Sequence, residues 1–368
     1  MGKFFLRSFF VFQLVLFITL LLTHYIPSIS PRDYSIMGIL GLFTPILAIL
    51  NIIFMFGWLL ARQFGMAGLA FLGCVVSWNV LSVCFAFNSL KKNDFTKSKS
   101  NFSIMSYNVR LLDLFDWTGK VGTRKKMLEL MASENPDVLC LQEFYSKDNS
   151  GLDNVTAIKK LGGYPYHAES NMKQYKERKW GSVIFSKYPI LSNENILINE
   201  EDKNLIQGCT IDIKGTKVKV YNIHLHSNKL SSDELVVESE GKVAKVAEAA
   251  IKQSKSIFNK LTKAYSQRGN EANLSAFLIQ DDINSTPTVV CGDLNDLPSS
   301  FSYFTIRGNL KDAFLEKGTG IGSTYNGNIS FLRIDYIFFQ EQLHLNGFRK
   351  IKAPYSDHFP LVANFSLP

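Results

Sequence analysis

The chain has 368 residues, 46% of them hydrophobic, and a net charge of +8, a length that suits two or three folded units. The charge is uneven: residues 1–100 carry eight Lys/Arg against two acids, so residues 101–368 hold only +2, which excludes the electrostatic signature of a dedicated nucleic-acid binder from the larger part. Five scattered cysteines with no CxxC or zinc spacing exclude a disulfide framework.

Three apolar stretches open the chain. Ser8–Ile26 follows Lys3 and Arg7 and is interrupted only by scattered polar residues; Ile36–Leu60 and Gly65–Phe87 contain no charge. Each is long enough to cross a bilayer core of about 30 Å. No small-x-small cleavage site follows the first, so it reads as a retained span. Pro45 and Asn51 in the second read as a kink and a helix–helix hydrogen bond. Residues 1–90 are therefore expected to be a membrane region with three transmembrane helices, residues 91–100 a linker, and residues 101–368 one soluble domain.

The soluble part alternates strand and helix patterns. Strands are predicted at Phe102–Tyr107, Val138–Leu141, Ser182–Phe185, Lys217–Leu225, Thr288–Cys291, Arg333–Phe339 and Phe359–Phe365. Thr123 is expected to cap a helix over Arg124–Glu134 that Pro136 stops. Val243, Val246, Ala247, Ala250 and Ile251 mark an amphipathic helix, and a second helical stretch covers about residues 257–277. Many strands with intervening helices predict a layered α/β sandwich.

The strand ends deliver polar residues. Asn108 closes the first strand and Gln142-Glu143 the second; His224 lies in Asn-Ile-His-Leu-His. Gly292 ends an apolar strand and lets the backbone approach a neighbour. Asp293 and Asn295 follow, a spacing that in extended chain sends two side chains to one face. Asp335 sits inside an apolar strand, where a carboxylate needs a partner, and His358 in Ser-Asp357-His358-Phe-Pro would serve. Each also has a bland reading: Asn108 as a turn residue, Glu143 as a solvated charge, His224 as a satisfied core histidine, Asp357-His358 as a surface turn.

Taken in order, Ser-Tyr-Asn108-Val-Arg, Leu-Gln-Glu143, Gly181-Ser-Val-Ile-Phe-Ser-Lys-Tyr-Pro, Asn-Ile-His224-Leu, Gly-Asp293-Leu-Asn295-Asp, Arg-Ile-Asp335-Tyr and Ser-Asp357-His358-Phe-Pro resemble the endonuclease/exonuclease/phosphatase (DNase I-like) superfamily over about residues 101–368. With the apolar start, the whole resembles membrane-anchored bacterial members. The resemblance implies a four-layer α/β sandwich of two packed mixed sheets flanked by helices. It also implies a metal-dependent hydrolase of ester bonds using Mg²⁺, with Mn²⁺ able to substitute. Asn108 and Glu143 would hold the ion, with Asp357 beside it. Asp293, beside Asn295, would position or deprotonate the attacking water. His358, paired with Asp335, would stabilise the phosphate or transfer a proton, and His224 would be a second acid/base or phosphate contact. His226 matches no role and reads as a surface histidine.

The expected function is a membrane-anchored Mg²⁺-dependent phosphoesterase acting on a phosphodiester or phosphomonoester, with a phospholipid-type substrate suggested by the anchor. The alternatives are a nuclease acting on DNA or RNA and a catalytically silent membrane scaffold. The partners are a phosphate-ester substrate and the lipid bilayer; nucleic acid is not indicated by charge. Lys173, Lys176, Arg178 and Lys179, before Trp180, form a local basic cluster and read as a solvated loop. The expected location is the bacterial inner membrane, multi-pass. Flanking charge favours a cytoplasmic domain. The signal-anchor-like start and the resemblance to anchored members tip the reading to an extracytoplasmic one.

Overall fold

The computed structural model describes residues 2–96, 100–170, 173–199, 204–228, 243–327, 329 and 331–368. The chain forms two compact units. The first is assembled from Met1–Phe85, Ser227–Ala272 and Asp296–Thr305; the second from Ala86–His226, Asn273–Asn295 and Ile306–Pro368. The expected division near residue 100 therefore does not describe the first unit, which also takes two segments from the later chain.

In the first unit, the helix Ile36–Leu60 is, among the described residues, the one long and apolar enough to cross a membrane. Its buried residues Gly38, Gly41, Thr44, Ala48 and Asn51 recur every three to four positions and form one narrow stripe. Phe43, Ile46, Ile49, Ile53 and Phe56 lie outside that stripe and are exposed. Close packing is possible because the stripe is small: a Cβ on Gly38 would meet Tyr265 Cγ at 2.3 Å. Ser299 Oγ donates to the Gly41 carbonyl at 2.7 Å. Asn51 makes the interhelix bonds expected of it, accepting from Gln13 Nε2 at 2.9 Å and donating to the Ala70 carbonyl at 2.7 Å.

The third apolar stretch departs from expectation. Its helix covers only Phe64–Val76, a short turn follows at Trp78–Leu81, and Ala86–Phe87 is strand. The helix ends at Ser77, whose φ −84° and ψ 6° leave the helical range; its hydroxyl donates to the Gly73 carbonyl at 2.7 Å. Thirteen residues reach about 20 Å, short of a bilayer core of about 30 Å. Arg7–Thr23 is likewise a shorter apolar helix.

The strands run in chain order as β1 (Ala86–Phe87), β2 (Asn101–Asn108), β3 (Val138–Lys147), β4 (Tyr166–Glu169), β5 (Lys173–Tyr175), β6 (Arg178–Ser186), β7 (Ile190–Asn199), β8 (Asn204–Ile213), β9 (Thr216–His224), β10 (Thr288–Asp293), β11 (Lys311–Asp312), β12 (Thr319–Gly320), β13 (Asp335–Phe339), β14 (His344–Lys350) and β15 (Leu361–Ser366). One six-stranded sheet has the order β11-β13-β10-β9-β8-β7, and one seven-stranded sheet contains β14-β15-β2-β3-β6-β4 with β5 against β6. Both are mixed: β10 pairs β9 and β2 pairs β3 in parallel, while their other pairings are antiparallel. β1 and β12 form a separate small ribbon.

The two sheets pack face to face over Ile104, Val138, Cys140, Val220, Val289, Cys291 and Ile337. The outer face of the seven-stranded sheet is covered by the helices Thr123–Glu134 and Asn154–Gly162, which bring Met127, Met131, Val155 and Ile158 against Met105, Leu139 and Val183. On the other side Asp282, in the last part of the helix Val243–Ser285, pairs with Lys219 of β9 at 3.2 Å. The result is the four-layer sandwich expected.

Several local details differ from the sequence reading. Gly122, in a left-handed conformation, precedes the first of these helices, and Thr123 gives no side-chain cap. The two helical stretches expected after residue 243 form a single helix of 43 residues. The side chains of Val243, Val246, Ala247 and Ala250, which suggested it, lie outside the described residues, as does that of Lys173. The basic loop is the hairpin β5–β6, in which Lys179 pairs with Asp148 at 3.1 Å and Glu169 at 3.4 Å. His226 is buried.

Candidate active site

The site follows from strand periodicity. On β2 the inward row is Phe102, Ile104, Ser106, Asn108; on β9 it is Val218, Val220, Asn222, His224; on β10 it is Val289, Cys291, Asp293. The start of β13 gives Asp335, Ile337, Phe339 in the same way. Side chains alternate along a strand, so each row that builds the core runs out at one rim in a polar residue. There Asp293 lies in register with His224 on one neighbour and Asp335 on the other.

Glu143 breaks the alternation. Between Leu141 and Phe144, β3 carries one more residue than β6 opposite it, a bulge, and Glu143 takes φ +47°. Bulges re-aim side chains next to active sites. This one turns Glu143 toward Asn108, whose Nδ2 donates to Glu143 Oε1 at 3.1 Å and to Asp293 Oδ2 at 3.0 Å. Gly292 has φ +140° and lies so close to β9 that a Cβ would sit 1.9 Å from the Ile223 carbonyl oxygen.

Two overlapping groups result. Glu143, His224 and Asp293 bring ligand atoms within 4.8 Å of one another, and so do Asp293, Asp335 and His358. His224 Nε2 is 3.5 Å from Glu143 Oε1 and 3.8 Å from Asp293 Oδ2, and this buried nitrogen has no hydrogen-bond partner among the described residues. His358 Nδ1 is 2.9 Å from Asp335 Oδ2, and its Nε2 is 3.6 Å from Asp293 Oδ2. Burial pushes the Asp293 carboxyl up to about 6, helped by Asp335 and opposed by His358 and His224. For His358, burial resists charging, but Asp335 and Asp293 hold the imidazole well above the usual histidine range.

Asn295 takes another position than its spacing suggested. The chain turns at Asn295, which has φ +50°; its backbone N–H donates to Asp293 Oδ1 at 2.8 Å and its side chain donates to the Leu225 carbonyl at 2.9 Å. Asn295 thus fixes Asp293 through the backbone. Asp357 belongs to neither convergent group. It pairs with Arg110 Nε at 3.4 Å and lies 3.2 Å from Ser356 Oγ, which donates to the Asn108 carbonyl at 2.9 Å.

Four residues had no role in the sequence reading. Arg110 stands over the Trp117 ring at 4.6 Å. Tyr325 bridges to His358, their rings 5.4 Å apart and nearly perpendicular. Burial raises its phenol, and the carboxylates of Asp357, Asp293 and Glu143 add to that against Arg110. Asn222 accepts from Gln142 Nε2 at 2.7 Å, linking the two sheets beneath the site. Asn222 had a signal, two residues before His224 on the same side of the strand. Ser356 stood in the Ser-Asp357-His358-Phe-Pro series; Tyr325 lies in a loop and had no signal.

A divalent cation suits this donor set. Glu143 offers carboxylate oxygens, a hard cation's preferred ligands, and the Asp293 carboxylate adds negative charge beside it. Carboxylates on two strand ends beside an Asp–His pair define a metal-dependent hydrolase of phosphate esters. Residues 105–358 match the sequence model of the Endonuclease/Exonuclease/phosphatase family, and the chain belongs to that family. Residues 4–84 match a second model, described as a domain of unknown function (DUF8431). No curated protein gives a significant match.

Among solved structures, an endonuclease/exonuclease/phosphatase family protein from Bacteroides thetaiotaomicron is similar at 15% identity and TM-score 0.51, over 73% of this chain and 98% of that one. The human Nocturnin catalytic domain with bound sulfate anion is similar at 19% identity and TM-score 0.51, over 75% and 98%. TDP2 from Caenorhabditis elegans is similar at 18% identity and TM-score 0.50, over 83% of each chain. These likenesses establish the shared fold.

Proposed function

We propose that the chain is a membrane-anchored, Mg²⁺-dependent phosphoesterase. One observation carries the reading: Asp293 is held in register between His224 and Asp335, with His358 reaching both carboxylates. Glu143, backed by Asn108, and with Asp357 nearby, would hold the cation, Mn²⁺ substituting. Bound there, it supplies Lewis-acid polarisation of a phosphoryl oxygen.

This chain's own groups do the rest. Asp293, fixed by the Asn295 N–H, accepts a proton from the attacking water as its oxygen bonds to phosphorus. The bond from phosphorus to the leaving oxygen breaks, and that oxygen takes a proton from protonated His358. Asp335 keeps the imidazole oriented and charged. His224 contacts the phosphate, and Arg110 and Tyr325 line the approach. The sulfate in the Nocturnin structure is the kind of tetrahedral anion such a site receives.

The substrate class we favour is a phospholipid-type ester at the bilayer. The helix Ile36–Leu60 supports it, since its exposed apolar face requires an apolar surrounding. We place the chain in a bacterial inner membrane through this helix, with the catalytic unit outside the cytoplasm; protease shaving of intact spheroplasts that leaves this unit untouched would refute the orientation. The full chain in detergent with Mg²⁺ should release phosphorylated headgroups or inorganic phosphate from phospholipids. Nicking of plasmid DNA with no lipid product would make it a nuclease instead. No hydrolysis even of an aryl phosphodiester, with any divalent metal, would make it a scaffold.

A further inference from the structure

The side of the sandwich formed by β13, β14 and the start of β15 holds an open cavity of about 500 Å³, lined in part by residues between Lys317 and Thr324. Its floor is apolar, built from Phe314, Ile337, Phe348 and Leu361. Its walls are basic: Lys317, Arg333, Arg349, Lys350 and Lys352 face it, against the carboxylates of Asp312 and Asp335 alone. The cavity meets the catalytic cluster only at Asp335; Glu143, His224, Asp293 and His358 do not line it.

Both carboxylates are already committed. Asp312 accepts from Arg333 Nη1 at 2.7 Å and from the Phe314 N–H at 2.9 Å. Asp335 holds His358. Arg349 is paired with Glu134. Lys317, Lys350 and Lys352 remain, and among the described residues none has a carboxylate within ion-pair distance; Asp94 feels Lys317 only at longer range. Lys317 Nζ donates to the Lys92 carbonyl at 3.0 Å, and Lys350 Nζ to the Ser323 carbonyl at 2.5 Å. Lys350 also stands 5.2 Å over the Phe359 ring. Burial holds the Lys350 ammonium below the usual lysine range, and Lys352 adds to this. Gathering like charges at a half-buried wall raises the free energy of the fold unless an anion joins them.

We propose that this cavity is a second anion site, which binds a phosphate-bearing ligand distinct from the substrate. Lysine ammonium groups serve as point charges for phosphate; Lys317 reaches the cavity from the end of the helix Ala313–Lys317, and Lys350 and Lys352 reach it from the end of β14. The apolar floor accepts whatever the phosphate is esterified to. The phosphate is either that of a lipid headgroup or a free one.

The test uses the full chain in detergent with EDTA, titrated calorimetrically with inorganic pyrophosphate. Without divalent metal, the carboxylates of Glu143, Asp293 and Asp357 repel anions from the catalytic cluster, so binding reports on the cavity. One saturable site is expected. It should weaken by about tenfold or more in Lys350→Met/Lys352→Met and in Lys317→Met, with thermal melting confirming that each variant is folded. Glu143→Gln should leave it unchanged. In nanodiscs, weaker pyrophosphate binding with phosphatidate than with phosphatidylcholine alone assigns a lipid headgroup; equal binding assigns a free phosphate. Absence of saturable binding, equal affinity in both lysine variants, or a loss confined to Glu143→Gln overturns the proposal. None of these readouts depends on hydrolysis, so a failure here is distinct from a failure of the proposed activity.

Discussion

Asp293 and Asp335 stand directly opposite each other across the antiparallel pair β10–β13, and one imidazole, His358, serves both: 3.6 Å from the first and 2.9 Å from the second. Two buried carboxylates on facing positions repel unless a cation or a proton lies between them. His358 is that cation, which explains its raised proton affinity. Burial, with Asp335 adding to it, pushes the Asp293 carboxyl up to about 6.

The pH dependence follows in sign. His358 binds its proton more tightly folded than unfolded, so its contribution to stability is complete below the ordinary histidine value near 6.5 and is lost as pH rises through the higher folded value. Asp293 is also raised; between about 4 and 6 the folded state holds more protons than the unfolded one, and stability again falls as pH rises. Metal-free protein should therefore melt at lower temperature at pH 9 than at pH 6. His358→Gln should flatten the alkaline part of that trend. Activity should run the other way at the acid end, falling below about pH 6 as Asp293 becomes protonated. A melting temperature that rises from pH 6 to 9 would contradict the pairing.

Glu143→Gln and Asp293→Asn should separate metal binding from water activation. The first keeps shape and removes charge from the bulge, so Mg²⁺ affinity falls and excess Mg²⁺ partly restores turnover. The second should lower turnover by on the order of 10²-fold or more, without such rescue. Full activity of both variants at low Mg²⁺ would remove this site from the mechanism.

Gly292→Ala tests the backbone beneath the site. The added Cβ meets the Ile223 carbonyl at 1.9 Å from a φ of +140° that an L side chain rarely adopts. β9 and β10 cannot part without moving His224 from Asp293. Loss of both thermal stability and activity is expected; near-native melting would show that the parallel pair is looser than its register implies.

Arg333→Met should cost about 3–5 kcal/mol, the usual result of stranding one member of a buried ion pair. Arg333 and Asp312 are both almost fully buried, and the guanidinium also lies 4.6 Å from the centre of the Phe314 ring. Replacing both partners, Arg333→Met with Asp312→Asn, should recover part of that loss. Differential scanning fluorimetry of the two variants against wild type distinguishes a stranded charge from lost packing.

Much of the site was legible because core rows and site residues share one periodicity. Val289, Cys291 and Asp293 are one inward face of one strand, so reading the apolar run also located the carboxylate. Asp335 advertised its need for a partner by its apolar neighbours. Three things were hidden. The bulge that turns Glu143 inward depends on pairing with β6, which its own sequence does not display. Asn295 looked like a second functional side chain because alternation was extended past the point where φ +50° ends the strand. Strands β7 and β8 were missed, the exposed β7 with Asn193, Glu194 and Asn195 at its centre lacking the apolar content that marks a strand. The third apolar stretch was overread for the opposite reason: hydropathy counts residues and does not display the change of backbone conformation at Ser77.

The first unit's discontinuous make-up bears on how the protein can be divided. Its later segments, Ser227–Ala272 and Asp296–Thr305, cluster with the N-terminal helices, Tyr265 against Gly38 and Ser299 bonded to Gly41. A fragment begun at residue 100 would keep Tyr265 and Ser299 and discard what covers them. Cutting there yields a torn surface. The apolar start of this chain is therefore not interchangeable: grafting other helices onto residue 101 would have to rebuild the seat of Tyr265.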